Sequence, residues 1–313
     1  MNITDFTHNH IEQATALAKA NYEEERKFVA VLPSVDTLPD LTGFADNGLG
    51  VAALENGKMI GFLCCYTPWD NAFGTTRVKG TFSPIHAHGA VYENREMIYK
   101  RLYQASAEKW VKSGILSHAI GLYAHDKQAI NSFFVNGFGL RCIDAIHPME
   151  EIITIDFFKS EYSELERENR IEILPLQNGL TSHLESSPNF MRHEKHVLER
   201  VQKRQSRVFV ARQDNKAIAF IEIMNSGENF ACDDISMMNI CGAYCLLEYR
   251  GKSIYQDLLN HLISVLRSEG YTRLGVDFES FNPTAYGFWL KYFTAYTHSV
   301  VRRIDEKALE VVL

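Results

Sequence analysis

The chain contains no run of about 18 apolar residues, so no membrane-crossing helix and no membrane partner are expected. Its first residues, MNITDFTHNH, lack a basic stretch followed by an apolar core, which argues against a secretory signal and for the cytoplasm. C-x-x-C is missing. The six cysteines, Cys64, Cys65, Cys142, Cys232, Cys241 and Cys245, read as buried reduced thiols. G-x-S-x-G, H-E-x-x-H and the P-loop are also missing, which removes the hydrolase elbow, the zincin helix and the Walker-type phosphate site. The formal net charge is −7 and no Lys/Arg cluster stands out, so nucleic acid is not expected as a partner. Two H-x-H pairs, His8/His10 and His86/His88, have no third ligand placed by spacing, so no metal is expected.

What is present is an ordinary globular composition, 46% hydrophobic and 23% charged over 313 residues. That length suits two domains of common size. The sequence is also internally repeated. GKMIGFLCCY, from Gly57, matches NKAIAFIEIM, from Asn215, and each follows a turn pair, Asn56-Gly57 or Asp214-Asn215, of the kind that closes hairpins. ENREMIYKRL, from Glu93, matches EYRGKSIYQDLL, from Glu248. HDKQAINSFFVNGF, from His125, matches FNPTAYGFWLKYF, from Phe281. Lys58 and Lys216 stand 158 apart, Arg95 and Arg250 155, Tyr99 and Tyr255 156, and the helix-stopping Gly114 and Gly270 156.

Each half reads as strand, helical region, hairpin, strand, long helix, strand, helix, strand, an α/β unit with a mixed sheet. The expected division is an N-terminal domain at 1–156, a linker at 157–170 containing the charged KSEYSELERENR, and a C-terminal domain at 171–313, with IEILPL restarting the strand pattern. Ile254, Leu258, Leu259, Leu262, Ile263 and Leu266 repeat at helical spacing and mark one buried face.

CGAYCLLEYRGKSIYQDLL is an apolar strand, a basic turn and a helix. A helix N-terminus has unpaired N–H groups and partial positive charge, so an anion docks there readily. Arg250 and Lys252 add cations, Gly251 lets the backbone approach, and Ser253 is an N-cap candidate. These residues resemble the GNAT superfamily of N-acetyltransferases, whose hallmark is a strand, then [QR]-x-x-G-x-[GA], then a helix. The six positions here are Arg250-Gly251-Lys252-Ser253-Ile254-Tyr255. The second hallmark, an Asn at a strand end, an Ala three residues on and an aromatic-rich helix, matches Asn282, Ala285, Phe288 and Trp289. The resemblance covers about Ile171 to Ile304.

The resemblance implies two tandem GNAT-like domains, acetyl-CoA as acyl donor, and a primary amine of a small molecule or peptide as acceptor. It implies cofactor contacts at Cys245, Leu246, Leu247, Arg250, Gly251, Lys252, Ser253, Ile254, Tyr255, Asn282 and Trp289. It further implies an oxyanion-stabilising backbone N–H near Leu246. Glu222 is the expected proton acceptor, because a carboxylate inside an apolar strand needs a partner or a cleft. Asp233, Asp234 and Glu279 are the other acidic candidates. Two departures stand out: Ser253 and Tyr255 replace small family residues, and the last helix has Trp289 where the family often has an acidic Tyr. The N-terminal half, without a Gly after Arg95 and with Phe133 at the Tyr position, reads as degenerate. Three rival functions follow: a non-catalytic acyl-CoA-binding regulator, an aminoacyl-tRNA-dependent transferase, which the acidic charge disfavours, and a protein-interaction scaffold. A homo-oligomer is left open.

Overall fold

The computed structural model describes residues 1–74, 76–154, 160–192 and 204–312. The chain forms two compact units, Met1–Ile143 with Ala295–Leu313, and Asp144–Thr294. Among the described residues no helix is long and apolar enough to cross a membrane.

The first half of the chain runs β1 (Asn2–Asp5), α1 (Ile11–Arg26), α2 (Thr42–Asp46), β2 (Val51–Glu55), β3 (Lys58–Leu63), β4 (Gly80–Ser83), β5 (His88–Ala90), α3 (Arg95–Lys112), β6 (Ser117–Tyr123), α4 (Lys127–Val135) and β7 (Gly139–Pro148). The second runs β8 (Glu161–Glu164), α5 (Leu174–Glu185), β9 (Arg207–Gln213), β10 (Lys216–Met224), β11 (Met237–Cys245), α6 (Ile254–Ser268), β12 (Arg273–Glu279), α7 (Pro283–Tyr292), β13 (Thr294–Arg303) and α8 (Ala308–Val312). The repeat reappears in these boundaries. β6 and β12 lie 156 apart at both ends, and β7 and β13 lie 155 apart at both ends. Both hairpin turns have two consecutive left-handed residues, Asn56-Gly57 and Asp214-Asn215. Both long helices end alike: beyond each stop glycine, Ile115 N–H reaches Trp110 O and Tyr271 N–H reaches Leu266 O.

In the first unit β1-β2-β3-β5 form one sheet, and β6 pairs in parallel with β4 and antiparallel with β13. In the second unit the order is β12-β11-β10-β9-β8, with only β11–β12 parallel. The six expected apolar positions of α6 are all buried. The amphipathic stripe is therefore what holds this helix on its sheet.

Three boundary expectations are corrected. The chain's last strand belongs to the first unit, where Thr297–Arg303 pair with Ser117–Tyr123 and Val300 joins the core. Conversely, the segment after Ile143 belongs to the second unit: Met149 N–H donates to Thr272 O, and Ile152 and Asn260 exchange two hydrogen bonds. The chain's last strand thus lies in the first unit, and the end of β7, from Asp144, in the second. Strand periodicity places a strand but not its neighbour, and β7 and β13 have the same length and register in the repeat.

The third correction concerns the linker. Residues 157–159 lie outside the described residues. Beyond them Glu161–Glu164 pair with β9, and Arg167–Ile173 form a 3-10 helix. IEILPL is helical rather than extended. Its proline falls in the first turn of α5, where a missing N–H is tolerated, and Ile173 and Leu176 point into the core.

Candidate active site

β11 and β12 pair only from Met237↔Arg273 to Ile240↔Val276, although the strands continue to Cys245 and Glu279. The separation begins at a bulge. The β10–β11 register steps from Glu222↔Gly242 to Ile223↔Ile240, leaving Cys241 as the extra residue. A bulge bends its strand, which here parts β11 from β12. Two cavities occupy the opening, of about 310 and 400 Å³, and they share Leu180, Ala243, Asn282, Ala285 and Trp289.

The larger cavity is closed by the basic turn. Gly251 has φ +73° and Ser253 φ +60°. A Cβ on Gly251 would meet no protein atom within 4 Å, so within the protein the glycine serves the backbone conformation and not packing. Alternating left-handed residues turn successive N–H groups to one side and form an anion-binding concavity. Ser253 occupies the N-cap position of α6, but its side chain makes no capping bond. Arg250 donates from Nε to Cys245 O at 3.0 Å and lies over the Tyr244 ring. No carboxylate among the described residues pairs with Arg250. Lys252 sits over Tyr249. Tyr255, bulky where the family motif is small, packs edge-on against Phe288 and Trp289 and lines the slot.

The smaller cavity is walled by acids. Glu222 is buried and lines it. Both its oxygens are engaged: Ser206 Oγ donates at 2.6 Å, Gln177 Nε2 at 3.2 Å, and the Arg204 guanidinium stands at 3.5 Å. Asp277 and Glu279 project from the free end of β12 into the same cavity. Asp277 lies deep among protein atoms, yet solvent reaches its side chain through the cavity. Burial above all, then the charges of Glu228, Asp144 and Glu279, hold its carboxyl well above the usual carboxylate range.

Most expected cofactor residues therefore come together. Cys245, Arg250, Gly251, Lys252, Ser253, Ile254, Tyr255, Asn282 and Trp289 line the larger cavity, whereas Leu246 and Leu247 line neither. The Leu246 amide is not a free donor either, since it bonds Ile218 O at 3.0 Å. Donors alternate along a strand, so with Leu246 turned toward β10 the amides of Cys245 and Ala243 face the opening. Asn282 caps α7 by accepting from Ala285 N and also meets His183 Nε2 at 3.2 Å. Burial pushes the Cys245 thiol up to about 11, which keeps it protonated at neutral pH. Asp233 and Asp234 precede β11 and line neither cavity.

Asp277 and His183 were missed. Asp277 is legible by the rule that selected Glu222, a charge inside the apolar strand RLGVDFE. His183 carries no sequence signal, because it reaches the slot from a helix 99 residues before Asn282.

Residues 176–293 match the family model described as the acetyltransferase (GNAT) family. No curated protein sequence matches the chain. Among solved structures, a GCN5-related N-acetyltransferase from Sphaerobacter thermophilus has a TM-score of 0.58 at 9% identity, covering 96% of this chain and 95% of that one. A GCN5-related glucosamine N-acetyltransferase region of a fungal multi-domain GH3 beta-N-acetylglucosaminidase has a TM-score of 0.53 at 15% identity. That match covers 96% of this chain and 38% of the fungal one. The fold is thus α/β and GNAT-like, and the matched acetyltransferase segment lies within the second unit.

Proposed function

We propose that the protein is an N-acetyltransferase that moves an acetyl group from acetyl-CoA to a primary amine of a small molecule or peptide. The observation that carries this reading is the parting of β11 from β12, which joins the basic turn to an acid-walled cavity. The pyrophosphate would lie on the amides of Gly251–Ser253 with Arg250 beside it. The amine would enter past Asp277 and Glu279. Asp277, its carboxyl raised by burial, takes the ammonium proton, and a carboxyl raised in this way is a stronger base than an exposed one. Glu222, held by three donors, shapes the wall. The amides of Cys245 and Ala243 face the thioester oxygen, as an oxyanion site requires. The first unit is read as a degenerate copy.

One observation favours a non-catalytic acyl-CoA-binding regulator instead. Trp289 and its repeat counterpart Phe133 are both buried, and neither has an acidic proton at the position where the family often has one. A thermal-shift titration with acetyl-CoA, on wild type and Gly251→Trp, combined with CoA release across a panel of amines, decides. Wild type is expected to be stabilised and Gly251→Trp not, with thiol released in the presence of one class of amine. Stabilisation without any turnover leaves the regulator, and no stabilisation of wild type refutes both readings.

A further inference from the structure

The Tyr255 hydroxyl is buried and makes no hydrogen bond among the described residues, although Tyr255 lines the larger cavity. A buried hydroxyl without a partner is costly and calls for an explanation. The repeat supplies one. Tyr99 stands 156 residues earlier at the same turn of the equivalent helix. Its ring packs on Phe133 as Tyr255 packs on Trp289, and Phe133 and Trp289 are again 156 apart. The two tyrosines therefore hold the same place in their units.

Their hydroxyls differ. Tyr99 Oη meets His88 Nδ1 at 2.9 Å, and His88 Nε2 meets Gly121 O at 2.5 Å. Burial lowers the His88 pKa to about 4, so the ring is neutral near pH 7. A carbonyl only accepts, so Nε2 carries the hydrogen, Nδ1 is the acceptor and Tyr99 donates. His88 thus bridges β5 and β6, the strands whose counterparts, β11 and β12, part in the second unit.

The residues corresponding to His88 are small. Arg95 and Arg250 bond the carbonyls of Val91 and Cys245, which aligns His88 with Gly242, while the spacing of the two arginines aligns it with Ala243. Either way the imidazole is replaced by a methyl group or less, and Ala243 lines both cavities. The first unit fills the position with its own side chain, and the second leaves Tyr255 without the partner that Tyr99 has.

We infer that Tyr255 is a catalytic residue of the second unit, donating its hydroxyl hydrogen to the sulfur of the acyl thioester and of the thiolate that leaves. This rests on the acetyl-CoA reading above. As the amine nitrogen bonds the acyl carbon, the C–S bond breaks and its electron pair stays on sulfur. Asp277, having passed the ammonium proton to solvent, takes the second proton from the nitrogen. The phenol keeps its proton and holds the thiolate until solvent protonates it. Burial raises the Tyr255 phenol well above its ordinary value, which suits a group that donates a hydrogen bond without ionising.

Four proteins test it: wild type, Tyr255→Phe, Tyr99→Phe and Ala243→His. Without ligand, Tyr255→Phe is expected to melt no lower than wild type, because no bond is lost, whereas Tyr99→Phe melts lower. Tyr255→Phe should bind acetyl-CoA within about threefold of wild type and lose about 100-fold in kcat, the usual effect of removing one transition-state donor. A readout independent of the amine is affinity for CoA against desulfo-CoA: wild type should prefer CoA about fivefold, and Tyr255→Phe should not. Ala243→His, rebuilding the plug, should raise the melting temperature and abolish the acetyl-CoA response. The inference is overturned if Tyr255→Phe melts as low as Tyr99→Phe, keeps its kcat, or keeps the preference for CoA. A wild type that ignores acetyl-CoA overturns the proposed function as well, whereas one that binds and turns over with Tyr255→Phe unchanged overturns this inference alone.

Discussion

The helix-start turn occurs twice in this molecule and is built differently each time. In the first unit α3 begins at Arg95, three positions earlier in the repeat than α6, so helix stands where the second unit has the loop Gly251–Ser253. Arg95 is buried and ion-paired to Glu24 at 2.8 Å and Asp126 at 3.0 Å. Arg250 keeps the bond to the strand carbonyl and the seat over a tyrosine ring, but Asp126 has become Asn282 and no carboxylate among the described residues meets the guanidinium. His88 spans the strands in one unit, and a methyl group stands there in the other. The same framework is closed by its own side chains in one unit and left with unused donors in the other. A site of this fold is therefore opened by subtraction: a neutralised carboxylate, a lost imidazole and a shortened helix.

Acid should separate the two units most strongly. His86, His88 and His118 of the first unit are each lowered to about 4, chiefly by burial. A histidine with a depressed folded pKa binds more protons unfolded, so its contribution is present above the unfolded value and lost as pH falls from 6.5 toward 4. Each should lose about 2 kcal/mol by pH 5. Glu25, raised by burial, opposes them, but it is one group against three. Asp277 in the second unit is raised too, and a raised carboxylate is relieved as pH falls. Hydrogen exchange resolved by segment, at pH 7 and pH 5, should show the first unit losing more protection than the second, where among the described histidines burial lowers His261 alone. Equal losses in both units would break the comparison.

The paired arginines give the next largest contrast. Arg95→Ala strands Glu24 and Asp126 and should cost about 3 kcal/mol in denaturant unfolding. Arg250→Ala should cost less than about 1 kcal/mol but weaken acetyl-CoA binding about tenfold, the scale of one charge-assisted phosphate contact. If the two substitutions cost the same in stability, the first unit's turn is not the closed form of the second's.

Much of this contrast can be read from the sequence. The repeat, the two hairpin turns, the stripe of α6 and the glycine of the basic turn are local patterns, and local patterns survive folding. The units to which β7 and β13 go are not legible, because the two strands read alike and only tertiary pairing places them. The Leu246 donor failed for a related reason. Which side of a strand an amide faces depends on parity counted from the bulge at Cys241, and a bulge leaves no fixed residue signature. Glu222 was found by a sound rule, but sequence does not show that Ser206 and Gln177 already occupy its oxygens. The engaged carboxylate and the available one, Asp277, look the same in a string of letters.

The smallest expected effect concerns the residue that departs from the family motif. Ser253, the N-cap of α6, holds φ +60°, and Asn94, the N-cap of α3, holds φ +57°. Left-handed backbone costs most side chains about 1 kcal/mol or more, and asparagine less because its short amide bonds locally. Glycine removes that strain but adds freedom to the unfolded chain, so part of the gain is lost. Ser253→Gly should therefore stabilise by about 0.5 kcal/mol and Asn94→Gly by close to nothing. Neither hydroxyl loss nor added freedom should weaken acetyl-CoA binding, because the backbone N–H groups, and not the serine side chain, form the concavity. Loss of affinity in Ser253→Gly would instead assign the hydroxyl to the phosphate, and the departure from the motif would then be a substitution of one donor for another rather than a tolerated strain.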